Sequence, residues 1–111
     1  MAKILVLHGP NLNLLGVREP HIYGSDNLDD INKSCKNLCT AKGHDFSFLQ
    51  SNAESDLIER LHEARDDGTD FMIVNFGGFT HTSVAIRDAI IASEIPFIEV
   101  HLSNLFSRRG V

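Results

Sequence analysis

Runs of apolar residues alternate along the chain with stretches in which apolar positions recur every three or four residues. Lys3-Ile-Leu-Val-Leu7 is a continuous apolar run closed by Gly9-Pro10, the pattern of a strand buried on both faces. Residues 11–25 bring Gly, Pro, Arg and Asn in quick succession and predict a long loop. Leu28, Ile31, Cys35, Leu38 and Cys39 then follow at helical spacing, with Gly43 as the C-cap. Phe46 and Phe48 alternate with polar neighbours, which predicts a short strand ending near Gln50. Leu57, Ile58, Leu61 and Ala64 predict a second helix, stopped near Asp67-Gly68. Phe71-Met-Ile-Val74 is a second fully apolar strand, and a third helix is expected over residues 80–93, with Thr80 or Thr82 as its N-cap. Pro96 precedes a fourth strand over residues 97–101.

The order is β-α-β-α-β-α-β with short connections. Such alternation implies an α/β fold, a parallel sheet with helices on both faces. No repeat, low-complexity stretch or linker divides the 111 residues, so a single domain is expected. In open parallel sheets, ligands bind beyond the carboxyl ends of the strands. The unusual polar residues gather there: His8-Gly-Pro-Asn11-Leu-Asn13 after the first strand, Asn75-Phe-Gly-Gly-Phe-Thr-His81-Thr82 after the third, and Glu99-Val-His101-Leu-Ser103-Asn104 in and after the fourth.

Charge narrows the range of partners. The formal net charge is −5 and no basic stripe is present, which argues against nucleic acid. A locally positive pocket for an anionic small molecule remains compatible with an acidic chain. The apolar opening is too short for a signal peptide, and no apolar stretch reaches transmembrane length. Cys35 and Cys39, four apart on a helical pattern, form neither a C-x-x-C motif nor a disulfide framework. Reduced, half-buried thiols in a cytoplasmic protein without a membrane partner are therefore expected.

Several residue groups have two readings. Glu99 and His101 lie two apart on a strand, so their side chains leave the same face. They suit a general acid oriented by a carboxylate, or a plain ion pair at a strand end. Arg18 could stabilise a Tyr23 phenolate, or the two could be an exposed cation and a packed loop aromatic. Gly77-Gly78 before a helix could bind a carboxylate or simply make a tight turn. His8, His81 and His101 could all approach the rim, but without metal-ligand spacing they predict no metal site. His21, His44 and His62 read as surface or loop residues. The turn between Gly9 and Gly16 lacks the following Lys-Ser/Thr of a phosphate loop, and no G-x-G-x-x-G follows the first strand. An electron carrier would want a Ser/Thr-rich phosphate loop and flanking aromatics, and a signalling receiver an acidic cluster at the first strand's end. Neither is present.

Read together, His8-Gly-Pro-Asn-Leu-Asn-Leu-Leu-Gly16, Arg18-Glu-Pro-His-Ile-Tyr-Gly24, Gln50-Ser-Asn52, Thr80-His-Thr-Ser83 and Ile98-Glu-Val-His-Leu-Ser-Asn104 resemble the type II 3-dehydroquinate dehydratases. The match runs in order from the start to about Ser107. The resemblance implies a flavodoxin-like three-layer α/β/α fold with sheet order 2-1-3-4-5. It implies anti elimination of water from 3-dehydroquinate to 3-dehydroshikimate through an enolate, with no metal and no cofactor. By the same likeness Tyr23 is the proton acceptor, Arg18 its activator, and Asn11 the holder of an enolate-stabilising water. His101 is the proton donor and Glu99 orients it. Asn75 and the backbone at Leu102 and Ser103 hold the substrate carboxylate, and His81 binds a hydroxyl. Asp88 reaches a neighbouring subunit's site, since the family builds trimers that assemble into dodecamers.

Two departures stand out. Phe76 replaces the Pro that commonly follows the third-strand Asn in the family, which would put a large ring near the carboxylate site. After Ser107-Arg108, the family continues into a further substrate-binding Arg, a fifth strand and a final helix. Here the residues are Arg109-Gly110-Val111. The expectation is a domain incomplete at its C-terminus, with the fourth strand as an exposed edge, poor solubility and weak activity, or an inactive remnant of the enzyme.

Overall fold

The computed structural model describes residues 1–16 and 26–101, apart from the side chains of residues 80 and 81. Among the described residues, four parallel strands form one sheet: β1 (Lys3–His8), β2 (Asp45–Gln50), β3 (Phe71–Asn75) and β4 (Phe97–Glu99), in the order β2-β1-β3-β4. This is the 2-1-3-4 part of the expected order. The helices are α1 (Leu28–Ala41), α2 (Glu54–Asp66), a single turn α3 (Phe79–Thr82) and α4 (Val84–Ser93). A 3-10 turn over Leu12–Leu14 opens the loop after β1.

The continuous apolar runs become the central strands because they are covered on both sides. Leu5, Leu7, Met72 and Val74 point to one face and pack with Leu57, Leu61 and Ala64 of α2 and Ile86, Ala89 and Ile90 of α4. The other face is covered by α1, whose Ile31 and Cys35 lie over Val6 and Ile73. This second layer is thinner: Phe48 and Ile98 remain 48% and 55% exposed. Among the described residues β4 borders β3 alone. Its ladder runs on one step past the strand through Val100 N–H, which donates to the Val74 carbonyl at 2.8 Å.

Helix ends follow side-chain chemistry. Asn27 and Asp30 make a reciprocal capping box at the start of α1. The helix expected over residues 80–93 is instead two helices. Thr82 Oγ1 donates back to the Gly78 carbonyl at 3.1 Å and so belongs to the short α3. Ser83 leaves helical geometry, at φ −98° and ψ 101°, and its hydroxyl accepts from Ile86 N–H as the true N-cap of α4. Among the described residues no helix is long and apolar enough to cross a membrane.

Candidate active site

The parallel register brings the carboxyl ends of three strands level. His8 stands opposite Gln50 on one side and Asn75 on the other. Beyond this row the chain segments are tied closely. Gly9 N–H donates to the Asn75 carbonyl at 2.6 Å, and Ser51 N–H to the His8 carbonyl at 3.0 Å. A Cβ on Gly9 would stand 2.6 Å from the Phe76 carbonyl carbon and oxygen, so β1 and β3 touch backbone to backbone here.

Asn11 lies two residues further on, exposed, in the left-handed conformation at φ 69° and ψ −5°. Its N–H donates to Asn52 Oδ1 at 2.9 Å. Gln50 Nε2 donates both to the Gly9 carbonyl at 3.1 Å and to Asn52 Oδ1 at 3.2 Å. Two amide side chains from the end of β2 therefore grip the turn that presents Asn11. The resemblance singled out Gln50 and Asn52 but attached no role to them. Their signal in the sequence is two primary amides just past a strand end.

Asn75 is buried at the end of β3. Its Oδ1 accepts from Gly77 N–H at 3.1 Å. That bond fixes which way the amide faces and makes Nδ2 the group able to donate to a carboxylate. Gly77, at φ 54°, packs against the Pro10 carbonyl, so the glycine turn and the Asn11 turn are neighbours. The ring of Phe76, expected near the carboxylate site, is 2% exposed and belongs to the hydrophobic core. In that place it works as packing.

Glu99 neighbours Val74 in the ladder and so shares the face covered by α4. Arg87 of α4 reaches it, Nη2 to Oε1 at 4.0 Å. His101 Nε2 lies 3.5 Å from the same Glu99 oxygen. Both partners are about a quarter exposed, open enough to meet a ligand. The two-residue spacing thus produces the expected carboxylate–imidazole pair. The Glu99 carboxylate can hold the ring's orientation.

His8 departs from its expected place at the rim. It is 3% exposed, and its Nε2 meets Asn32 Oδ1 of α1 at 2.8 Å. Burial lowers its pKa below 6.5, against a smaller upward pull from Asn32. His8 is a neutral core histidine because its strand face turns toward α1. Asn32 was missed among the polar helix positions, although it stands four residues after Leu28 on the inward stripe. Cys35 and Cys39 are half-buried, as expected; burial first, and Cys39 next, push the Cys35 thiol up.

The remaining candidates are placed less fully. His81 belongs to α3, and Asp88 is exposed on α4. Arg18, Tyr23, Leu102 and Ser103 lie outside the described residues. Among the described residues no three His, Cys, Asp or Glu side chains gather as a metal site.

The rim therefore combines an exposed, clamped asparagine, an oriented buried asparagine and a carboxylate–imidazole pair. Comparison with known proteins places the chain in one family. The family model described as dehydroquinase class II matches residues 2–110. The 3-dehydroquinate dehydratase of Cellvibrio japonicus is 61% identical over 110 residues, covering 99% of this chain and 74% of the relative. 3-Dehydroquinate dehydratase 1 of Pseudomonas aeruginosa is 60% identical over 108 residues, 97% of this chain and 74% of its own length. Among solved structures, the type II dehydroquinase of Butyrivibrio crossotus superposes with a TM-score of 0.87 at 44% identity, over 90% of this chain and 70% of that one. That of Propionibacterium acnes superposes with a TM-score of 0.88 at 38% identity, over 97% and 74%. A family match over residues 2–110, joined to relatives of about 60% identity, means that the chain belongs to the class II dehydroquinase family.

Proposed function

We infer that the protein is a hydro-lyase that converts 3-dehydroquinate to 3-dehydroshikimate, a step of the shikimate pathway. The observation that carries this reading is identity of about 60% to 3-dehydroquinate dehydratases across 99% of the chain.

The chemistry needs a base at the carbon next to the ketone and an acid at the departing hydroxyl. In the proposed mechanism the Tyr23 phenolate, kept ionised by Arg18, removes the carbon-bound proton. The electron pair moves into the ketone and leaves an enolate. A water held by Asn11 donates a hydrogen bond to that oxygen, an oxyanion-hole role. Collapse of the enolate then expels the hydroxyl, which takes a proton from His101 and departs as water. Solvent then takes the proton from Tyr23 and returns one to His101, which resets both groups. The 3.5 Å contact between Glu99 and His101 supports the acid assignment, because the carboxylate can hold the imidazole in one orientation. Asn75 Nδ2 and the backbone at Leu102 and Ser103 would hold the substrate carboxylate, and His81 a ring hydroxyl. Asp88, exposed on α4, would serve a neighbouring site in a homo-oligomer, a trimer-based dodecamer. Within this scheme no metal or cofactor takes part, and the enzyme works in the cytoplasm.

The test follows formation of the conjugated enone by absorbance. Tyr23→Phe and His101→Ala are each expected to lower kcat by about 100-fold or more, the scale of a lost acid or base. Full turnover in both variants would overturn the assignment of roles.

A further inference from the structure

Asn11 is the one non-glycine residue at the described rim with a left-handed backbone. Asn tolerates that region better than most residues but still pays for it. Where its side chain points depends also on the peptide plane that precedes it, and the group that holds that plane is identifiable. The Asn11 N–H ends on Asn52 Oδ1 at 2.9 Å. Gln50 Nε2 ends on the same oxygen at 3.2 Å and on the Gly9 carbonyl at 3.1 Å. Gly9 is pressed against the Phe76 backbone, and Pro10 has a fixed φ. The segment before Asn11 is therefore anchored, and the N–H bond to Asn52 fixes the plane of the Pro10–Asn11 peptide, from which the Asn11 side chain departs. Turning this peptide plane, by rotation about the Pro10 Cα–C bond, takes the N–H away from Asn52 and swings the Asn11 side chain to a new direction.

We propose that Asn52, held in place by Gln50, is a positioning residue that fixes the Pro10–Asn11 peptide plane and so sets where the Asn11 amide points. The proposal rests on the lyase reading, in which Asn11 serves the enolate. Asn52 itself touches backbone and Gln50, and it acts on the reaction only through Asn11. The acceptor oxygen is the working group, so Asn52→Asp should preserve the function and Asn52→Ala should remove it.

Two measurements on the full chain test this. In steady-state turnover of 3-dehydroquinate, Asn52→Ala is expected to lower kcat about tenfold while KM moves less than about twofold, the pattern of a lost transition-state interaction. Asn52→Asp should restore kcat to within about threefold of wild type, because its carboxylate still accepts the N–H bond. In an Asn11→Ala background, Asn52→Ala should add almost nothing, since a residue acting through Asn11 has nothing left to position. Independently of turnover, amide hydrogen exchange at Asn11 should quicken about tenfold or more in Asn52→Ala, while amides of β1 and β3 keep their protection. Unchanged exchange at Asn11, or an equal loss of kcat with and without the Asn11 side chain, would overturn the proposal. A wild-type chain without turnover would sink the lyase reading alone and leave the exchange measurement to decide the clamp.

Discussion

At the scale of single residues, the rim depends on contacts too close for a side chain. Gly9 shows this most sharply. Its φ is not in the left-handed region, yet an added Cβ would lie 2.6 Å from backbone atoms of Phe76. Backbone cannot swing aside as a flexible side chain can, so β1 and β3 would have to part where the Gly9 N–H binds the Asn75 carbonyl. Gly9→Ala is expected to cost about 1–3 kcal/mol or more in unfolding free energy, as overpacking does. Gly78 supplies the control, since it has open space around it and an ordinary helical φ of −62°. Gly78→Ala should stay within about 0.5 kcal/mol of wild type. Urea titrations of the two variants check the contrast, and equal stabilities would contradict the close-approach argument.

At the scale of elements, the break between α3 and α4 is set by one hydroxyl. Ser83 is buried and its oxygen accepts from Ile86 N–H at 3.0 Å. Ser83→Ala is expected to destabilise by about 1 kcal/mol, the usual worth of an N-cap, with Thr82→Ala costing less because Thr82 is exposed and only bonds back to Gly78. Thermal melts of both variants measure the difference. This break also shows where sequence reasoning stops. Thr80, Thr82 and Ser83 are all good capping residues, and periodicity alone cannot choose among them. The strands were legible because Lys3–His8 and Phe71–Asn75 are apolar on both faces, which few other structures permit. The Glu99–His101 pair was legible because strand spacing of two places both side chains on one face. The grip of Asn52 on Asn11 was not, because its partners are 41 residues apart and meet only once β2 is known to lie beside β1.

At the scale of the whole molecule, the sheet has two unequal faces, and they should respond differently to acid. The face under α2 and α4 is packed with apolar side chains, and among the described residues its core cluster holds no titrating group. The face under α1 holds His8, buried against Asn32 with its Nδ1 unpartnered among the described residues. With Nε2 donating to Asn32 Oδ1, a proton taken up by the folded protein must go to Nδ1, which is buried with no hydrogen-bond partner among the described residues. The folded pKa is therefore lowered by burial. The sign follows directly: the unfolded chain binds this proton below about 6.5 and the folded chain resists it, so stability rises with pH across that window. It is fully present above 6.5 and is lost as pH falls from there through the lower folded pKa. His8→Asn keeps a polar side chain but removes the titration. It should be less stable than wild type at neutral pH, through lost packing, yet lose less of its stability on acidification. Urea midpoints collected from pH 7.5 down to pH 5 compare the two slopes. Carboxylates that titrate lower, such as Asp67, are common to both proteins and cancel in the difference. Parallel slopes would mean that His8 accepts its proton in the folded state, and that the α1 layer opens to water more readily than its packing implies.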